Sequence, residues 1–339
     1  MVVAENGGIP VRFRGEVEMK PFTPNSRVYR IRHCKQFAPF KKYVVAPRQI
    51  ATLMQVYSIQ NLSWFYPLNA QDTADTLNKM RSRIDEGSLF YTPFKKKDTG
   101  IYAFLIGNGA PFVLLFSGGG YGDVCSLVEG YSTALKLNAD GYNVFIVNYT
   151  VGRMKSPTEP AEDVASALSY IFAHRSEWNV GIDYAVCGFS AGGHLAATWG
   201  TKTLGYQKYG LKKPEAVILC YSVITMGEFT HVGSRKNLLG AYAQDKETQD
   251  AYSIEKQVEE EYPPTFIWQC KDDSVVPFQN SLLMKESLQK HGVPYELMTI
   301  EGTVHGWGAG VGTPAEGWIE KAVRFWQQNH KKEAEGTRF

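Results

Sequence analysis

The sequence predicts an α/β fold: a doubly wound, mainly parallel sheet carrying an N-terminal helical extension. Three observations predict it. From about Thr99 onward, strand-like runs alternate with helix-period runs, the pattern of strand–helix–strand units whose strands lie parallel. Many of these strand-like runs are apolar throughout, as strands covered on both faces are. Finally, the apolar run Tyr184-Ala185-Val186-Cys187 leads into Gly188-Phe189-Ser190-Ala191-Gly192, and the helix formers Leu195, Ala196 and Ala197 follow. That is the strand–turn–helix context of a nucleophile elbow.

Residues 1–95 lack this alternation. Basic and aromatic residues mix without a period over 11–43. Ile50, Leu53, Met54, Val56 and Tyr57 then predict a helix over 49–59, and the aromatic run Trp64, Phe65, Tyr66 predicts a loop over 61–68. Leu77, Met80 and Ile84 predict a second helix over 71–84 that stops at Gly87. The segment is expected to be a helical cap over a site; an extension packed on the sheet is the competing reading. Residues 96–330 are expected to form the catalytic domain.

Within that domain the strand-like runs are 101–106, 112–116, 143–149, 184–187, 216–221, 265–269 and 295–300. Helices are predicted over 161–174, with Val164, Leu168, Ile171 and Phe172 on one face, and over 279–290, ending near Gly292. The last helix is expected to open at Thr313-Pro314-Ala315-Glu316, a capping box with proline in the first turn. The connection 222–262 is about forty residues, far longer than the usual link in such units, and is expected to be lid-like, with surface decoration as the alternative.

Ligands of parallel sheets bind beyond the carboxyl ends of the strands, which is where Ser190 stands. A serine hydroxyl is a poor nucleophile near neutrality and needs a base, itself oriented by a third group. After a nucleophile elbow the chain order is serine, acid, histidine. Asp272 and Asp273 follow the run 265–269, and His305 follows 295–300, each past the carboxyl end of a late strand. Neighbouring side chains of an extended loop point opposite ways, so only one of the two aspartates can serve. His305 precedes Gly306, Gly308 and Gly310, which suits a mobile loop. His194 lies in the helix after the elbow with no acid placed to orient it, and is read as structural. Ser117-Gly118-Gly119-Gly120 follows the run 112–116 and lets backbone N–H groups approach a substrate oxygen. The N–H groups of Gly119, Gly120 and Ala191 are the expected oxyanion hole. A phosphate cradle is the other use of such a loop, but no Gly-Lys-Ser/Thr follows it.

The formal net charge of +2 gives no electrostatic case for nucleic acid or an anionic membrane. No apolar run reaches the length of a membrane span, and residues 1–8 lack the regions of a signal peptide. Five scattered cysteines read as reduced core thiols, so a cytoplasmic location is expected and neither a metal site nor a disulfide frame is.

From about residue 99 to 328 the chain resembles the α/β-hydrolase superfamily, and within it the microbial carboxylesterases described as acetyl-xylan-esterase-like or lipase-like hydrolases. The resemblance rests on Ser117-Gly118-Gly119-Gly120-Tyr121, on Gly188 to His194, on Tyr262-Pro263-Pro264-Thr265-Phe266-Ile267-Trp268, on Asp273-Ser274-Val275-Val276-Pro277 and on His305-Gly306. It implies a serine carboxylesterase without cofactor, acting on a small acyl ester of a sugar or aromatic alcohol through an acyl-enzyme. It also implies Asp273 as the acid, four residues before Pro277. The chain departs from the pattern at Ser117, where relatives carry histidine or proline, and in its first 95 residues, which the minimal fold lacks. A peptidase or amidase on the same scaffold, and a non-catalytic ligand-binding relative, are the alternative readings; both catalytic ones share the same three residues.

Overall fold

The computed structural model describes residues 20–40, 57–63, 67–85, 90–92, 94, 96, 99–152 and 154–336. Among the described residues eight strands form one sheet: β1 (Phe90–Tyr91), β2 (Gly100–Phe104), β3 (Ala110–Phe116), β4 (Asn143–Asn148), β5 (Val180–Phe189), β6 (Ala216–Cys220), β7 (Thr265–Cys270) and β8 (Tyr295–Ile300). Their order across the sheet is β1-β2-β4-β3-β5-β6-β7-β8. β1 and β2 run antiparallel to their neighbours, and β4, β3, β5, β6, β7 and β8 are mutually parallel. The expected doubly wound, mainly parallel sheet is therefore the fold. β1 was not expected: two residues are too few to show a period, and they pair only because β2 offers an edge.

The helices in chain order are α1 (Val28–Arg32), α2 (Ile59–Leu62), α3 (Ala70–Asp85), α4 (Ser126–Glu129), α5 (Tyr131–Ala139), α6 (Glu159–His174), α7 (Ser190–Trp199), α8 (Val232–Leu239), α9 (Lys246–Ala251), α10 (Gln279–Lys290) and α11 (Trp318–Gly336). Strand side chains alternate between the two faces. Val113 and Leu115 join Leu137 of α5 and Trp318 and Trp326 of α11, whereas Leu114 and Phe116 join Val164 and Leu168 of α6, Leu195 of α7 and Met284 of α10. No helix among the described residues is long and apolar enough to cross a membrane.

Several local expectations shift. The helix expected over 49–59 lies, up to residue 56, outside the described residues. Within them a helix begins where that one was to end: Ser58 accepts the N–H of Asn61, whose side chain in turn accepts that of Ser58, so Asn61 and Leu62 are helical and not loop. Trp64, Phe65, Tyr66 and Gly87 lie outside the described residues. The last helix starts at Trp318, not at Pro314. Gly317 has φ +87°, which no helix accommodates, so residues 314–317 form a separate turn. The capping-box pair is not formed either: Thr313 Oγ1 accepts the N–H of Ala315, and the Glu316 carboxylate accepts that of Gly312.

The N-terminal segment shares the core of the α5–α11 face. Phe22, Val28, Ile31 and Phe37 pack with Leu77 and Met80 of α3 and with Tyr131 of α5. Met80→Ala is accordingly expected to destabilise the whole domain by about 2–5 kcal/mol, as for other buried truncations. Denaturant unfolding should show one cooperative transition with a lowered midpoint; a separate early transition would make the segment an independent unit.

The connection 222–262 is similarly packed. Met226, Leu238, Leu239, Ile254 and Val258 are buried on the α6–α7 face. Asn280 of α10 fastens its start by accepting the N–H groups of Ile224 and Thr225.

Candidate active site

The chain order reverses at one place in the sheet. From β3 the chain crosses to β4 on one side, and β5 returns on the other side of β3. Connections leaving β3 and β5 diverge there and open a crevice beyond their carboxyl ends. The loop Ser117–Gly120 leaves β3 into it, and Ser190 leaves β5.

Ser190 has φ +52°, a left-handed conformation uncommon for a residue with a side chain. The turn is sharp enough that a Cβ on Gly192 would lie 2.2 Å from the carbonyl oxygen of Phe116, so only glycine fits. As the first residue of α7, Ser190 also places the N–H of Ala191 among those that have no partner inside the helix. Gly119 and Gly120 donate their N–H groups to no described residue.

The structure brings the three expected side chains together. Ser190 Oγ is 2.9 Å from His305 Nε2, and His305 Nδ1 is 2.8 Å from Asp273 Oδ2. The Asp273 side chain is 0% exposed. Its Oδ1 accepts the N–H groups of Val275 and Val276, both at 2.9 Å, and Gln269 Nε2 donates to its Oδ2 at 3.2 Å. This carboxylate thus keeps its orientation and hydrogen-bond partners without water. Asp272 is exposed, and its N–H binds the carbonyl of Gly302 instead. The geometry therefore puts Asp273, not Asp272, on the histidine.

The glycine-rich run after His305 is held on both sides of one residue. Gly308 donates its N–H to the Tyr221 hydroxyl at 3.1 Å, and its carbonyl accepts Trp318 Nε1 at 3.0 Å. Gly308 has φ +50°, and a Cβ there would lie 2.4 Å from the carbonyl of Val128. Close packing, rather than mobility, accounts for this glycine.

His194 does not touch Ser190. It lies buried between two partners: the Tyr121 hydroxyl donates to Nδ1 and Nε2 donates to the Tyr252 carbonyl, each at 2.8 Å. It so anchors Tyr121, the residue after the three glycines. Burial, opposed by the Tyr252 carbonyl, holds its pKa down to about 4 from 6.5. The unfolded chain takes up this proton near pH 6.5 and the folded chain only near pH 4. Stability should therefore fall as pH drops through that window, by about 3 kcal/mol from this group. Denaturation midpoints of wild type and His194→Gln between pH 7 and 4 test this. A wild-type slope in the variant would assign the acid sensitivity elsewhere.

Four contributors were not singled out from the sequence: Glu129, Tyr221, His231 and Gln269. Glu129 accepts the N–H of Gly118 and the hydroxyl of Tyr221, whose ring stands edge-on to His305 at 4.8 Å. His231, from the connection 222–262, accepts from Ser234 at Nδ1 and lies beside Gly120, whose carbonyl is bound by Asn237 of α8. No motif marks these residues, since each meets the site through the fold alone. Among the described residues one group could ligate a metal: Asp183, Glu215 and His330. Their separation in sequence hid it. They lie away from the crevice, near the amino ends of β5 and β6, and Lys212 already bridges the two carboxylates at 2.9 and 3.1 Å.

A family model described as BD-FAE matches residues 106–288. The chain is 37% identical over 204 residues to endo-1,4-beta-xylanase B of Butyrivibrio fibrisolvens, covering 57% of this chain and 32% of that protein. It is 31% identical over 198 residues to acetylxylan esterase of Xylanibacter ruminicola, covering 57% of this chain and 40% of that protein. The chain thus spans less than half the length of both curated relatives. Among solved structures it is similar to the acetyl ester-xyloside bifunctional hydrolase of Caldicellulosiruptor lactoaceticus. The TM-score is 0.61 and the identity 30%, over 73% of this chain and 96% of that one.

Proposed function

This chain belongs to the BD-FAE family, its sheet domain is a carboxylic ester hydrolase of the α/β-hydrolase type, and we propose that it works as a serine esterase on small acyl esters of sugars. The observation that carries this reading is the unbroken relay Ser190–His305–Asp273, drawn from three loops at the reversal of strand order. His305 Nε2 takes the proton of Ser190 as the hydroxyl attacks the ester carbonyl, while Asp273 holds the ring with Nδ1–H toward its own carboxylate. The N–H groups of Gly119, Gly120 and Ala191 receive the developing oxyanion. His305 next protonates the leaving alcohol, and water then releases the acyl group by the same base.

The sugar part of the reading comes from the names of the relatives, which refer to xylan and xyloside esters. Residues 1–95 and 222–262 are taken as the walls of the pocket. Pro67 lies against Gly306 of the base loop, and His231 lies against Gly120 of the oxyanion loop. A reducing, cytoplasmic setting is part of this reading, and there the substrates would be short acylated sugars.

Turnover of p-nitrophenyl acetate, butyrate and octanoate, of acetylated xylo-oligosaccharides, and of aminoacyl p-nitroanilides separates the readings. Hydrolysis of the short esters and release of acetate from the sugar are expected, with no anilide cleavage. Anilide cleavage exceeding ester cleavage would replace the esterase reading by an amidase.

A further inference from the structure

Glu129 is a buried carboxylate that the relay does not use. It closes α4 and is 5% exposed. Its Oε2 accepts the N–H of Gly118 at 2.5 Å and its Oε1 accepts the Tyr221 hydroxyl at 3.1 Å. The same hydroxyl accepts the N–H of Gly308. A continuous chain of contacts therefore runs from the loop after β3, through Glu129 and Tyr221, to the loop after β8. These loops leave strands that β5, β6 and β7 separate in the sheet, so strand pairing alone does not register them.

Resting on the assignment of Ser190 and His305 above, we propose that Glu129 is a positioning residue that locks the oxyanion loop to the base loop and supports the imidazolium formed at His305. Two physical effects are combined. The first is geometric: N–H donors help only when they meet the oxyanion's position within a few tenths of an ångström, and the base must lie in line with the same carbon. The second is electrostatic. His305, whose side chain is 13% exposed, gains a positive charge during attack, and a nearby carboxylate favours that charge.

The surroundings are consistent with such a role. Burial pushes the Glu129 pKa up, and the Gly118 N–H, the charge of His305 and the Tyr221 hydroxyl oppose it. The other groups facing Glu129 are Tyr221, Tyr149, Cys125 and Cys220, all pushed upward by burial and so uncharged near neutrality; the acid Asp123 acts on Cys125 and Tyr149. His305 itself is bonded to Asp273, and the charge of His231 also acts on it.

Glu129→Gln keeps shape and removes charge. Its kcat for p-nitrophenyl acetate is expected to fall about 10- to 100-fold with a smaller change in KM, as for a group acting mainly in the transition state. Losing a negative charge disfavours protonated His305, so the rising limb of kcat/KM against pH should move to lower pH, by about half a unit or more. Glu129→Asp should return the limb towards its original pH while leaving kcat low, because the shorter side chain misses Gly118. Wild-type kcat and an unmoved limb in a folded Glu129→Gln would overturn the proposal. If that variant does not fold, Tyr221→Phe tests the bridge: kcat should fall several-fold, and wild-type kcat overturns the proposal. Ester turnover surviving in Ser190→Ala would overturn the nucleophile assignment, and the proposal with it; an inactive Ser190→Ala beside an unaltered Glu129→Gln refutes the proposal alone.

Discussion

Replacing Ser190 by alanine is expected to lower ester turnover on the order of 10⁴-fold or more, with the fold intact. The size follows from what the position supplies. Ser190 is the only described hydroxyl bonded to His305, and it opens α7, one residue before Ala191, where the connections after β3 and β5 diverge. Without it, the acyl group has no covalent acceptor, and only water held near His305 can attack. Folding should survive, because alanine removes one oxygen whose sole hydrogen bond among the described residues is to the histidine. A fluorophosphonate probe followed by peptide mass spectrometry checks the claim directly: the label should fall on the peptide holding Ser190 and vanish in Ser190→Ala. Undiminished labelling of the variant would place the nucleophile elsewhere.

Asp273→Asn should cost nearly as much, about 10⁴-fold in turnover, as for the corresponding change in the serine protease triad. An amide can present its NH₂ to His305 Nδ1 and so stabilise the tautomer whose Nε2 carries the proton and cannot accept another. It also removes the charge that stabilises the imidazolium. Oδ1 still accepts from Val275 and Val276, so the loop should keep its shape. Asp272→Asn is the matched control: that side chain is exposed, and its replacement should change turnover less than about twofold, as for surface substitutions generally. Equal losses in the two variants, each folded by circular dichroism, would remove Asp273 from the relay.

Much of the fold and of this constellation was legible in the chain before any coordinates. The apolar runs of the sheet are long and unbroken because both faces are covered, so burial itself writes the pattern. The elbow is legible because its geometry excludes side chains at fixed neighbours of Ser190, as the contact a Cβ on Gly192 would make with Phe116 demonstrates. The order serine, aspartate, histidine is legible because parallel strands deliver successive loops to one edge. Boundaries were less so. The start of the last helix moved to Trp318 because Gly317 adopts φ +87°, and nothing in a capping box forbids or requires that.

What the sequence by itself determined is therefore the alternation of strands and helices, the elbow at Ser190 and the loops that bear Asp273 and His305, all properties of residues close along the chain. The choice of Asp273 over Asp272 came only from the resemblance, and tertiary structure alone decided that Glu129 and Tyr221 join the loops after β3 and β8, that His194 anchors Tyr121, and that the N-terminal segment shares the core of one sheet face. The reason is physical. Local backbone preferences and hydrophobic period act over a few residues, whereas these contacts join residues 32 to 115 positions apart in the relay alone, and only the register of eight strands places them within hydrogen-bond reach.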